Sequence, residues 1–204
     1  MHLTTVQGYG FFECSSAFQK SIRRGDETNA LYFAVELFNS GYDEYVWKRM
    51  KVITSEDIGL AEPNAPAIIQ SLYEMYNDAK AKKHEKMPQR LHYVHAIMYL
   101  CRCKKSRLID WTMIALWREH KLEKREVPDF AFDMHNAKGK QKGRGIDHFY
   151  NDGTELTNHV PQDGEEEWKQ KAWKLHKEHP LPDLPVKKEK GKKNDLFDNQ
   201  NSEV

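Results

Sequence analysis

The dipeptide Gly25-Asp26 leaves this chain little choice of fold. Before it, Phe18 and Ile22 sit four apart, followed by the basic pair Arg23 and Arg24. That layout ends a helix on a left-handed glycine, with cations in the turn where the helix dipole is negative. After it, Asp26 can cap a second helix, in which Ala30, Leu31, Ala34, Leu37 and Phe38 keep a 3.6-residue period. Gly41 repeats the stop. A third helix is expected from about Asp43, with Tyr45, Val46, Met50 and Ile53 as its apolar face. Helices joined by almost no linker must pack as close antiparallel neighbours. The first helix is expected to start at Ser15 or Ser16, either of which can cap it.

The helical period continues downstream. A fourth helix carries Ala67, Ile68, Leu72, Met75, Tyr76 and Ala79 on one side, and a fifth carries Leu91, Val94, His95, Met98 and Tyr99. A sixth follows a Ser106 cap, and its residues Leu108, Trp111, Ala115, Leu116 and Leu122 cover a wide face. Period-2 alternation never persists for a strand's length. The fold class is therefore all-α, a compact multi-helix domain with at least six helices. Phe18, Ile22, Tyr32, Phe33, Trp47 and Trp117 are its candidate core or interface residues.

Val127-Pro128 breaks the pattern. Residues 127–160 are rich in glycine, lysine and histidine, and read as an irregular extension packed on the helical domain, with a short helix near Asp129 to Lys138. EEEWKQKAWKLHKEH, residues 165–179, reads as an amphipathic helix through Trp168, Ala172, Trp173 and Leu175. From Pro180 the chain has too little apolar surface to offset the entropy of ordering it, so a disordered tail is expected. The organisation is thus a lead-in (1–13), a helical domain (14–126), the extension (127–160), and a short helix followed by the tail (161–204).

The net charge of the 204 residues is +1, so any electrostatic attraction for nucleic acid must come from a local patch. No apolar run approaches the length that spans a bilayer, and the first residues lack the layout of a signal peptide. Cys14, Cys101 and Cys103 form no CxxC pair, and their odd, sparse count fits a reducing compartment. A cytoplasmic location is expected.

Chemistry is sparse. The sequence has no GxxxxGK[ST] loop and no G-x-S-x-G elbow, so no nucleotide cofactor is expected. His92 and His95, three apart on a helix, lack the further ligands a zinc ion wants. Asp133, His135, Asp147, His148 and His159 could bring carboxylate and imidazole together, as in a metal-dependent enzyme, but they match no ligand spacing. Capping and packing of an irregular segment is the reading adopted for them, and no metal is expected. Lys138, Lys140, Lys142 and Arg144 place four cations in seven residues. That is either a phosphate-contacting segment on DNA or a solvated turn.

The stretch KVITSEDIGLAEPNAP, residues 51–66, poses the sharpest choice: acidic catalytic loop or structural turn. Ser55 can cap the backbone, Glu56 and Asp57 suit the start of a turn, and Gly59 lets the chain reverse. Pro63 and Pro66 suit a helix start, with Asn64 as its cap. Every residue has a structural use, and a catalytic carboxylate pair would come from separate elements facing a cleft. The structural reading is the one adopted.

The same residues carry a family resemblance. Ser16, Phe18, Lys20, Ser21 and Arg23 form an S-A-F-x-K-S-x-R block, followed by G-D-x-x-x-A-L-Y from Gly25 to Tyr32. Ser55, Glu56, Asp57, Gly59, Pro63 and Asn64 belong to S-E-D-I-G-L-A-x-P-N-A, and Tyr99 to Ser106 to Y-L-x-x-x-x-K-S. These blocks closely resemble the region after the ATPase module in replication-associated recombination protein A, the MgsA-type AAA+ ATPases of the clamp-loader clade. The match runs from about Cys14 to Gly153, where VPDFAFDMHNAKGKQKGRGIDHFYNDG is similar to a variant found in some relatives. The resemblance implies a collar-like helical domain that oligomerises, typically as a tetramer. It also implies partners at stalled replication forks: an AAA+ ATPase, single-strand-binding protein or DNA. The family's ATP-binding and arginine-finger residues map to no position here, so ATPase activity is not expected of these residues. A non-catalytic assembly module is the leading expectation; a DNA-binding accessory protein and a metal-dependent enzyme are the alternatives.

Overall fold

The structure is a computed structural model that describes residues 3–82 and 87–179. The expected disordered tail lies outside the described residues. No strand occurs among those described, and the chain is all-α. It divides into two compact units, Met1–Arg125 and Glu126–Val204.

In the first unit, α1 (Phe11–Arg24), α2 (Glu27–Asn39) and α3 (Asp43–Ile53) follow one another with almost no linker. Both glycine stops form as the sequence dictates. Gly25 has φ 71°; its N–H donates to the Ile22 carbonyl, and that of Asp26 to the Ser21 carbonyl, closing the helix end. Gly41, at φ 81°, repeats this with Phe38 and Leu37. The Asp26 carboxylate accepts from the Asn29 N–H at 3.0 Å, the expected cap of α2. The start of α1 differs from expectation. The helix begins at Phe11 behind Gly10, so Ser15 and Ser16 lie inside it, and the Ser15 hydroxyl meets the Tyr45 hydroxyl at 2.9 Å. Phe11 and Cys14 extend the buried face of Phe18 and Ile22 by one turn. The lead-in is folded onto α2: the Gln7 N–H donates to the buried Glu36 carboxylate at 2.8 Å, and the Val6 N–H to the Ser40 hydroxyl.

Helix α4 (Ala65–Ala81) and α5 (Gln89–Arg102) pack on each other and close the core. Trp47, fully buried, is ringed by Tyr73, Tyr76 and Tyr93 at centroid distances of 5.2, 5.2 and 6.0 Å. The Tyr93 hydroxyl donates to the Ala34 carbonyl, tying α5 to α2. Two helix faces are rotated from expectation. In α4 the buried set is Ala65, Ile69, Leu72 and Tyr76, whereas Ala67 and Met75 are exposed. In α5 it is Tyr93, Ala96, Ile97 and Leu100, whereas Leu91 is 74 % exposed. Helix α6 (Leu108–Leu122) completes this unit.

The second unit holds a 3₁₀ turn at Asp129–Ala131 and short helices α7 (Ala137–Gln141) and α8 (Ile146–His148), the latter running into a π-helical turn at Phe149–Gly153. The single helix expected near Asp129 to Lys138 is thus two separate short elements, because Asn136 leaves helical geometry to cap α7 at Gly139. Helix α9 (Glu165–Glu178) forms where expected. Trp173 of α9 stacks on Tyr150, with ring planes 13° apart.

Candidate functional site

Residues 51–66 build a structural knot. Helix α3 does not stop at Ile53. It widens into a π-helical turn, Thr54–Ile58, in which the Gly59 N–H reaches back to the Thr54 carbonyl. Ser55 makes no capping bond and is exposed. The wider turn carries Asp57 fully inside, at 0 % side-chain exposure. Arg23 Nε donates to its Oδ1 at 2.6 Å, Gln19 Nε2 to its Oδ2 at 3.2 Å, and Arg107 Nη1 to its Oδ1 at 3.2 Å. Glu56 faces Arg23 at 3.0 Å, Arg49 at 3.8 Å and Arg107 at 3.5 Å. A buried carboxylate is tolerable only with such partners, and here they come from α1 and from the residue that opens α6.

The remaining motif residues serve the same joint. Gly59 has φ 55°, and a Cβ there would lie 3.2 Å from the Ser106 carbonyl oxygen, so a side chain at this crossing would be both strained and crowded. The Ser106 N–H donates to the Asp57 carbonyl at 3.0 Å. Lys105 Nζ donates to the carbonyls of Leu100, Cys101 and Cys103 at 2.8–3.2 Å, filling the open end of α5. Phe18 is core, whereas Lys20, Pro63 and Asn64 are exposed; Asn64 stands at the N-cap of α4 without a side-chain bond. Ser21 lends its carbonyl to the α1 stop.

What emerges from this joint is the unusual element. Within its unit, α6 packs against the π turn and the 3₁₀ turn Gly59–Ala61. None of its residues is buried. Leu108, Trp111 and Leu122, along one side, are 57, 60 and 86 % exposed. Ile109, Met113 and Leu116 lie along another side, and Trp117 between them is 68 % exposed. A helix that is apolar all round belongs in an interior. With Val52 and the Lys51 stem, Ile109 and Met113 line an open groove of about 470 Å³. Sequence reasoning left this face open between core and interface and did not single out Arg107. The available signal was the apolar residues at every azimuth of residues 108–122, more than one core face can use.

The other candidates fall into local roles. Lys142 and Arg144 both pair with Asp129, and Arg144 also donates to the carbonyls of Asp129 and Phe132. These two cations hold the Asp129 carboxyl down at about 2. Lys138 lies 5.2 Å from the Phe132 ring centroid, and neither Lys138 nor Lys140 has a carboxylate partner among the described residues. Asp133 accepts from the His135 N–H and faces its ring; Asp147 pairs with Lys177, His148 with Asp152, and His159 with Glu165. Those five residues therefore do not converge. Among the described residues no group of three or more His, Cys, Asp or Glu is placed to hold a metal ion. His92 is half-buried and His95 exposed on the outer side of α5. All three cysteines are free and buried, and burial pushes the Cys14 and Cys101 thiols up to about 11. Among the described residues no helix is long and apolar enough to cross a membrane.

Residues 25–178 match the family model described as MgsA AAA+ ATPase C terminal. The chain belongs to that family. An uncharacterized protein of Thermotoga maritima is 30 % identical over 168 residues, covering 78 % of this chain and 26 % of the relative. Replication-associated recombination protein A of Bacillus subtilis is 32 % identical over 149 residues, covering 70 % and 33 %. ATPase WRNIP1 of Dictyostelium discoideum is 32 % identical over 161 residues, covering 76 % and 17 %. The chain thus spans a third or less of the length of these relatives. In this member of the MgsA C-terminal family, the S-E-D-I-G and K-S blocks meet as one joint at the root of α6.

Proposed function

We propose that the chain is a non-catalytic helical assembly module of replication and recombination, which associates with further copies of itself through α6. The observation that carries this reading is the exposure of large apolar residues on several sides of α6. Scaling the fractional exposures of its apolar residues by the surface such side chains carry gives on the order of 800 Å², distributed around the helix, so more than one neighbour is needed to cover it. Monomeric proteins rarely leave this many large apolar side chains of one helix in water. A second copy supplies the same surface in a two-fold arrangement, and the family resemblance sets four copies as the expected number. The names of the relatives, replication-associated recombination protein A among them, motivate the setting, and the family resemblance suggests an AAA+ ATPase, single-strand-binding protein or DNA as further partners.

The test is light scattering across the micromolar range, on the native chain and on Trp111→Glu/Trp117→Glu. The native chain is expected to be oligomeric and the double variant monomeric with unchanged far-UV circular dichroism. A native chain that stays monomeric and binds DNA with a steep salt dependence would replace this reading with the accessory DNA-binding one, through Lys138 and Lys140 together with Lys142 and Arg144. Turnover of a nucleotide or cleavage of a nucleic acid strand by the purified chain would overturn the non-catalytic reading.

A further inference from the structure

We propose that Arg107 is a positioning residue that aims α6, setting the angle at which the helix is presented for association; this rests on the reading of α6 given above. Arg107 stands at the N-cap of α6. One end of its guanidinium donates to buried Asp57 at 3.2 Å and faces Glu56 at 3.5 Å, both on the π turn. The other end donates to Asp110 in the first turn of α6, and the guanidinium carbon lies 5.1 Å from the Trp111 ring centroid. A single planar fork therefore joins the body of the unit, the first turn of the helix and an aromatic of its exposed surface. Lysine, a point charge, cannot make all these contacts at once.

Packing does little to fix the helix otherwise. Fifteen residues extend about 22 Å, and no residue of α6 is buried. Its root is held by the Ser106 N–H on the Asp57 carbonyl, by Ile109 against Gly59, and by Arg107. A small rotation at the root displaces the far end, at Leu122, by several times as much, so the root sets where Trp117 and Leu122 stand.

The roles of the two arginines on Asp57 are separable. Without Arg107, Asp57 keeps Arg23 and Gln19, so the buried carboxylate stays paired and the α1–π turn junction persists. Arg107 can thus be removed without leaving a bare buried charge, which is what makes an aiming role distinguishable from a folding role.

The experiment compares the full chain with Arg107→Ala, Arg107→Lys and Trp117→Glu, using sedimentation velocity for association and hydrogen exchange for local order. Arg107→Ala is expected to weaken association at least tenfold and to speed exchange of the α6 amides at least tenfold, with the α1–α5 amides unchanged. Arg107→Lys should fall between Arg107→Ala and the native chain. Native association and native α6 exchange in Arg107→Ala would overturn the proposal. So would faster exchange throughout α1–α5, which would make Arg107 an ordinary folding residue. If Trp117→Glu associates like the native chain, the reading of association through α6 fails on its own account, and α6 exchange in Arg107→Ala still decides whether Arg107 fixes the helix.

Discussion

Asp57 and Asp129 are both carboxylates held by two cationic side chains, yet they answer to different physics. Asp57 has no solvent contact, and its partners define where three elements meet. Asp129 is exposed, and its partners Lys142 and Arg144 fold the second unit's basic segment back on itself. Its carboxyl sits at about 2, below the usual carboxylate value of 3.8, because both cations bond to it. A carboxyl lowered by folding stabilises the folded form above its unfolded value and loses that contribution as pH falls through the folded one. The order that Asp129 lends to the 129–144 segment is therefore expected to persist at pH 5 and to disappear between about pH 4 and pH 2. Amide chemical shifts of residues 129–144, followed through an acid titration, check this. In Asp129→Asn those shifts should differ from the native chain at pH 5 and converge with it near pH 2. Convergence already at pH 5 would mean the pair does nothing for the segment. Neither partner was legible beforehand. KGKQKGR reads as four free cations, because the acid that takes two of them lies nine or more residues upstream and nothing in the local spacing announces it.

At the level of elements, legibility followed how asymmetric each helix is. Helices α1 to α3 carry one apolar face each, and α1 and α2 end on glycines in the left-handed region, so their order and junctions could be read directly. Helix α5 is apolar on two sides, and periodicity alone selects either. The sequence favours Leu91, Val94 and Met98; the structure buries Tyr93, Ala96, Ile97 and Leu100. What decides is tertiary. Tyr93 has a hydroxyl that must find a partner when buried, and the Ala34 carbonyl of α2 supplies it. The two sides should respond differently to truncation. Ile97→Ala is expected to cost about 2–5 kcal/mol, as for a fully enclosed aliphatic side chain. Leu91→Ala should change stability by about 0.5 kcal/mol or less. Urea denaturation at one fixed protein concentration measures both. Comparable losses at the two positions would show that the outer face of α5 is covered in solution. The turn at residues 54–59 and its reversal at Gly59 were legible, but its π-helical geometry and its arginine partners were not, since those arginines lie some 34 and 50 residues away along the chain.

At the scale of the whole molecule, α6 is where the sequence and the isolated chain disagree. Composition marks residues 108–122 as interior, and the fold leaves them in water. A second copy over α6 resolves that conflict, and it makes stability depend on protein concentration. When an assembly unfolds to separate chains, mass action favours the folded side as concentration rises, and each tenfold increase adds about 1.4 kcal/mol per dissociating pair. For a chain of this size that corresponds to an increase in thermal midpoint of about 1–3 °C per tenfold. Calorimetry from the low to the high micromolar range should show this slope in the native chain. It should be absent in Trp111→Glu/Trp117→Glu, whose midpoint should be the same at every concentration. Because α6 contributes nothing to the core, that variant loses the partner without losing the fold. A flat midpoint in both proteins would leave α6 uncovered in the native chain and remove the physical basis for assembly through it. A steep slope in both would place the self-contact elsewhere, with the outer face of α5 around Leu91, Val94 and Met98 the next surface to substitute.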